Sequence, residues 1–104
     1  MRAPPVIDLT AQGFTLIGGR LDYVDAHPIG AIVYRRRSHV INLFVAQTAS
    51  TERQPARIEA IQGFNIRRWS ERGLNYWAVS DLAKDELADF GEKFESATRS
   101  ATTG

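Results

Sequence analysis

The side chains best suited to metal binding or acid–base catalysis are two histidines and the carboxylates near them in the chain. Asp22, Asp25 and His27 lie close together, and His39 follows further along. Two imidazoles and two carboxylates are a ligand set that zinc accepts, but their spacing matches no recognised zinc motif. The chain has no cysteine, which excludes disulfides, thiolate nucleophiles and cysteine-ligated zinc. We therefore expect no metal, no cofactor and no catalytic residue, and a protein that is not an enzyme.

Arginine supplies most of the positive charge and raises the question of nucleic-acid binding. Arg35, Arg36 and Arg37 are consecutive, and Arg67 and Arg68 precede a tryptophan, so arginines and aromatic rings could form a platform for single strands. Strand alternation, however, sends neighbouring side chains to opposite faces. The net charge is only +1 and the pI about 8.2, which is low for a nucleic-acid domain. A small nucleic-acid-binding β domain is therefore the alternative hypothesis, and no nucleic acid is expected as partner.

The elements that position these residues are predicted to be hairpins. Residues 30–47 read as strand throughout, which is too long for one strand, and Arg37-Ser38 is the polar place for a turn. A tight hairpin that pairs Arg36 with His39 sorts the side chains onto two faces. One face is predicted to carry Ile32, Tyr34, Ile41, Leu43 and Val45, and the other Val33, Arg35, Val40, Asn42 and Phe44.

A second hairpin is predicted around the turn sequence Ser-Glu-Arg-Gly at residues 70–73. If Ser70 faces Leu74, then Arg67, Trp69 and Trp77 share a face, with Arg67 opposite Trp77. Gly18-Gly19, earlier in the chain, interrupts a strand pattern and is read as a bulge or a close backbone approach.

The C-terminal segment has the clearest helical pattern, because Leu87, Phe90 and Phe94 recur at helical spacing. The predicted fold class is α+β: an antiparallel, mostly meandering sheet of about five strands with this C-terminal helix packed on one face. Residues 1–14 are expected to be a lead-in with one helical turn that Gly13 ends. Residues 15–97 form the single domain, and residues 98–104 a disordered tail.

The sheet face away from the helix carries apolar side chains that need a cover or a partner. We expect a partner-binding surface there that includes Arg35, Asn42, Trp69 and Trp77. The expected occupant is another protein or a second copy of this chain, with strand addition at a free sheet edge as one mode of contact.

An ordered series of motifs resembles the periplasmic C-terminal domain of membrane-anchored anti-sigma factors, the transmembrane transcriptional regulators of proteobacteria. The series begins with Leu-Ile-Gly-Gly-Arg-Leu and a proline, continues with an aliphatic-Tyr-Arg run and His-Val-Ile-Asn-Leu-Phe-Val, and ends with a tryptophan-containing hairpin and an acidic helix. These motifs lie at Leu16 to Leu21, Pro28, Val33 to Arg37, His39 to Val45 and Trp69 to Phe90.

The resemblance extends from about Asp8 to Phe94 and implies a regulatory role. It implies a parent protein with a cytoplasmic zinc-binding anti-sigma domain, one membrane-spanning helix and this domain in the periplasm. The sigma factor would be bound only by the cytoplasmic part, and this domain would act by protein contact or by gating a protease. The chain departs from the family pattern at Asp25-Ala26, where Asp-Gly is frequent, and at Ala46, where a tryptophan is common.

Overall fold

The computed structural model describes residues 6–102, which form one antiparallel sheet with a single helix packed against it. The predicted α+β class is confirmed, although the sheet has six strands where about five were expected. In chain order the elements are a 3₁₀ turn (Thr10–Gln12), β1 (Thr15–Val24), β2 (His27–Arg36), β3 (His39–Gln47), β4 (Gln54–Ile61), β5 (Phe64–Glu71), β6 (Leu74–Ser80) and α1 (Lys84–Thr102).

The strand order is β1-β2-β3-β6-β5-β4, so the sheet consists of two three-stranded meanders joined along β3 and β6. Each meander follows the predicted hairpin pattern, whereas the central β3–β6 pair joins strands that are not consecutive. The connection from β3 to β4 crosses the end of the β5–β6 hairpin, where the Thr48 amide donates to the Gly73 carbonyl at 2.9 Å. This crossing leaves β1 and β4 as the two edges.

The first predicted hairpin has the expected register, because Arg36 is paired with His39 across a two-residue turn at Arg37-Ser38. The side chains predicted for its apolar face are all buried under the helix. They are Ile32, Tyr34, Ile41, Leu43 and Val45.

The predicted register of the second hairpin is wrong by one residue. Ser70 pairs with Asn75 and not with Leu74, and the two-residue turn is Arg72-Gly73. Both turn residues have positive φ, 54° and 78°, as in the turns whose twist matches that of a β-hairpin. Because the side-chain period of a strand is two, this shift exchanges the faces.

The corrected register separates the two tryptophans. Trp69 pairs with Tyr76 in the core and is only 3% exposed, while Trp77 pairs with Arg68 on the opposite face. The predicted Arg67–Trp77 contact is therefore absent from the β5–β6 pair. Arg67 is instead paired with Ala78, and its guanidinium lies 4.6 Å from the centre of the Trp69 ring.

The predicted ends of the domain also require correction. The 3₁₀ turn ends at Gly13 as expected, but Leu9 and Phe14 on either side of it are buried, so this part of the lead-in belongs to the core. The helix continues through Thr102, so the predicted tail begins too early at residue 98. Residues 1–5 and 103–104 lie outside the described residues.

The core lies between α1 and the sheet. The buried helix stripe is the predicted one, and Phe90 meets the rings of Phe14 and Tyr34 edge to face at 5.3 and 5.0 Å. Leu87 and Phe94 extend the stripe toward both ends of the helix. Burial of each such side chain contributes about 1.5–3 kcal/mol.

A buried ion pair connects the helix to β5. Arg67 Nη2 donates to Glu95 Oε2 at 2.7 Å, and both side chains are about 5% exposed. The guanidinium fits against the helix backbone at Gly91, where a Cβ would lie 2.2 Å from Arg67 Nη1. A glycine in the middle of this helix therefore provides the space for a buried arginine.

Candidate protein-interaction face

The sheet face opposite α1, which we call the open face, is apolar at its centre. Strand alternation brings to it the side chains that do not point at the helix, and those on the four inner strands are mostly half-buried by their neighbours. The large half-buried apolar members are Ile29, Val33, Phe44, Ile66, Trp77 and Val79. The large exposed apolar members, nearer the margins, are Val24, Val40, Ile61 and Phe64.

Two stacked aromatic rings form the centre of the open face. Phe44 on β3 is paired with Trp77 on β6, and their ring centres are 5.6 Å apart at an interplanar angle of 23°. Ala31, paired with Phe44 from the other side, is buried although it lies on this face. The pair therefore presents a broad, flat apolar surface formed by the two central strands of the sheet.

Three of the four predicted site residues lie together on the open face. Asn42 sits between Val33 and Val79 in the row next to the Phe44–Trp77 pair. Arg35 is exposed and opposes Val40 one row further out. Arg35, Asn42 and Trp77 are thus diagonal neighbours, within reach of a single partner surface.

Trp69, the fourth predicted residue, lies on the other face of the sheet. Its ring stacks on Tyr76 at 5.1 Å and meets Phe94 of the helix at 6.2 Å, so it is part of the core. The incorrect register of the second hairpin accounts for its misplacement. Its role is to support β5 from the helix side.

An open pocket of about 610 Å³ on this face was not anticipated from the sequence. It lies where β4 leaves regular pairing with β5 at a bulge between Gln54 and Arg57. Arg68 on its wall binds Glu59 Oε1 through Nε at 2.6 Å. The Arg57 guanidinium, by contrast, forms no hydrogen bond or ion pair with the described residues. Pro55 inside a strand pattern was the available sequence signal for this irregular edge.

The other clustered arginines are engaged by carboxylates. Arg37 Nη2 donates to both Glu86 carboxylate oxygens at 2.9 Å, and Arg36 Nε lies 3.6 Å from the same group. The hydrogen bond from Arg37 holds the pKa of Glu86 below its usual value, helped by the positive charges nearby. Together with the Arg67–Glu95 pair, these contacts occupy guanidinium groups that a phosphate backbone would require.

The histidines lie at opposite ends of β2, as expected from the hairpin interpretation. His27 begins β2, whereas His39 follows the turn at its other end and places Nδ1 2.8 Å from Asp81 Oδ1. Within residues 6–102, no three His, Cys, Asp or Glu side chains are grouped so as to hold a metal ion.

Comparison of the chain with protein-family models, with curated proteins and with solved structures found no match. Over the described part of the chain, no helix has both the length and the apolar character that crossing a bilayer requires.

Proposed function

We propose that this chain is a non-catalytic protein-docking domain that binds its partner through the open face. The observation that carries the proposal is the stacked Phe44–Trp77 pair on a sheet face that the helix leaves uncovered. Contiguous apolar surface of this kind is costly in water and marks interaction sites. Aromatic side chains and arginine are also the residue types that contribute most to binding energy at protein interfaces.

The charges around the open face favour a partner that carries carboxylates. The carboxylates on the open face itself are already paired. Asp22 is bound to Arg20, and Glu59 is bound to Arg68. Arg35 and Arg57 form no ion pair with the described residues, so they supply positive charge at two margins of the apolar centre. A surface with apolar side chains flanked by Asp or Glu complements this arrangement.

The biological setting that we propose is the periplasmic domain of a membrane-anchored anti-sigma factor. The support is the motif series from Leu16 to Phe90, which resembles that family. In this setting the domain is the periplasmic part of a single-pass inner-membrane protein. It receives the signal by protein contact or by protease gating. The sigma factor itself is held by the cytoplasmic part of the parent protein.

The experiment compares Phe44→Ala and Trp77→Ala in the full-length parent with a sigma-dependent reporter. We expect both variants to change reporter output under inducing conditions, because truncation removes the apolar contact at the centre of the face. Glu92→Ala is the control, since Glu92 is exposed on the helix, away from this face. Circular dichroism of the isolated domains establishes that each variant folds.

Unchanged signalling in both folded variants would contradict the proposal. A second measurement titrates the purified domain with single-stranded oligonucleotides over a range of salt concentrations. Tight binding that weakens steeply with salt would favour the nucleic-acid alternative. We expect weak binding, because four of the five clustered arginines already bind carboxylates.

A further inference from the structure

The two edges of the sheet differ in how well they are protected against pairing with another strand. β4 carries Pro55 and a bulge, both of which discourage strand addition. β1 is longer and is regular from Gly18 to Val24, after a bulge that ends at Gly18. Within residues 6–102 no strand pairs with its outer side, so β1 offers a row of backbone donors and acceptors there.

The exposed half of β1 is also apolar. Leu21 and Tyr23 point to the same side of the sheet as the helix, but they lie beyond it and are 50% and 67% exposed. The helix reaches as far as β2, where Phe90 meets the Tyr34 ring, but it leaves these two β1 side chains exposed. Large apolar side chains on a free edge strand are unusual in a monomer, because natural edges are normally charged, short or covered.

We propose that β1 pairs antiparallel with β1 of a second copy of this chain, centred on Leu21, so that the two sheets join into one. The basis is the sequence Gly19-Arg20-Leu21-Asp22-Tyr23, which is self-complementary when it is read against itself in reverse. In this register Leu21 faces Leu21, Arg20 faces Asp22, and Gly19 faces Tyr23 of the other copy. The same contacts occur twice by symmetry.

Each of these pairings is favourable for a physical reason. Arg20 Nε and Asp22 Oδ2 now form an exposed ion pair at 2.7 Å within one strand, and in the dimer each group gains an opposite charge directly across. Tyr23 would cover the glycine opposite it, an arrangement that compensates for the missing side chain in a strand. The two Leu21 side chains cover each other.

This self-match selects a second copy over an unrelated strand. A foreign peptide could use the same backbone groups, but it would need the reverse order of charges and a tyrosine opposite Gly19. A second copy of β1 meets both requirements, because its Asp22 and Tyr23 come opposite Arg20 and Gly19 when the strands run antiparallel. The dimer uses the β1 edge and not the aromatic centre of the open face, so it goes beyond the proposed function and can be tested independently of it.

The test uses two variants that carry like charges on β1. Arg20→Asp makes positions 20 and 22 both acidic, and Asp22→Arg makes them both basic. Each variant alone places like charges opposite each other twice, so we expect its self-association to weaken about tenfold or more. Analytical ultracentrifugation measures the dissociation constants.

An equimolar mixture of the two variants is the decisive sample. Across the interface the acidic strand then faces the basic strand, and we expect a one-to-one heterodimer as tight as the native dimer. Charge pairing within one chain cannot produce this recovery, because each variant contains only like charges at these positions. Arg57→Asp and Glu59→Arg on β4 are the controls and should leave self-association unchanged.

Three outcomes would overturn the proposal. The first is a native chain that stays monomeric at about 1 mM, where weak protein interfaces are populated. The second is an equimolar mixture of Arg20→Asp and Asp22→Arg that stays monomeric. The third is loss of the dimer in the β4 variants.

Discussion

At the scale of single residues, the most informative feature is the arginine buried beneath the helix. Arg67 is held by Glu95 on one side and lies over the Trp69 ring on the other. Breaking a buried ion pair by removing one partner is strongly destabilising, because the remaining charge stays unpaired. Gly91 makes this arrangement sterically feasible, although glycine normally weakens a helix.

We predict that Gly91→Ala destabilises the protein by about 1–3 kcal/mol, the usual cost of inserting atoms into a packed core. At an ordinary helical site the same change would stabilise by about 1 kcal/mol. The added Cβ would lie 2.2 Å from the Arg67 guanidinium. An arginine can usually move aside, but here the ion pair with Glu95 and the Trp69 ring hold it. Urea denaturation measures the difference in free energy of unfolding between Gly91→Ala and the native chain.

The neighbouring exposed residue supplies the control for that prediction. Glu92→Ala should leave the free energy of unfolding nearly unchanged, within about 0.5 kcal/mol. In an Arg67→Met background, Gly91→Ala should cost less than in the native chain, because the flexible thioether yields where the guanidinium cannot. An equal cost in both backgrounds would show that Arg67 is not the obstacle.

At the scale of elements, the register of the β5–β6 hairpin decides the role of each tryptophan. We predict that Trp69→Ala costs about 3–5 kcal/mol, as for other buried aromatic residues. Trp77→Ala should cost about 1 kcal/mol, since its half-exposed ring loses mainly the Phe44 contact. The comparison is matched, because both changes remove the same side chain from adjacent strands.

Fluorescence gives an independent measure of the same register. With Trp77→Phe, the remaining Trp69 should emit at short wavelength and resist quenching by iodide; with Trp69→Phe, the remaining Trp77 should be quenched readily. In the register in which Ser70 faces Leu74, both tryptophans would share a face, so similar quenching of Trp69 and Trp77 would contradict the observed pairing of Ser70 with Asn75.

At the scale of the whole molecule, one hydroxyl connects the N-terminal segment to the core. Tyr34 on β2 lies against Phe90 of the helix, and its hydroxyl donates to the Ile7 carbonyl at 2.6 Å. Burial raises the pKa of Tyr34 to about 12, from an ordinary value of about 10. The Tyr34 hydroxyl therefore ionises at lower pH in the unfolded chain than in the folded protein.

We predict an alkaline loss of stability that depends on Tyr34. Its contribution is complete below about pH 10 and falls as pH rises through about 12, by about 2–3 kcal/mol in total. Tyr34→Phe should be less stable at neutral pH, because the hydrogen bond to the Ile7 carbonyl is lost. Its free energy of unfolding should, however, lack the part of the alkaline decline that comes from ionisation of Tyr34. Free energies of unfolding from pH 8 to 12 test this, and parallel curves for the two proteins would contradict it.

Local pattern was sufficient for much of the fold. Alternation between Ile32 and Val45 identified the face of the first hairpin, because Arg37-Ser38 is the only polar place for a break in that stretch. The helix stripe followed from 3.6-residue spacing, since it needs no knowledge of distant contacts. Of the candidate site, Arg35, Asn42 and Trp77 were placed on the correct face, but the pocket beside Arg57 was not anticipated, because it depends on an irregular pairing of β4.

The sequence by itself therefore determined the hairpins, the helix and the apolar content of both sheet faces, since these depend on neighbours a few residues apart. Only the tertiary structure decided that β3 pairs with β6, that Arg72-Gly73 is the turn, and that Glu95 receives Arg67. The observed β5–β6 register and the predicted one differ by a single residue, so the local sequence pattern alone barely distinguishes between the two. What separates them is the burial of Trp69 and the pairing of a charge 28 positions away, which exist only once the helix has packed on the sheet.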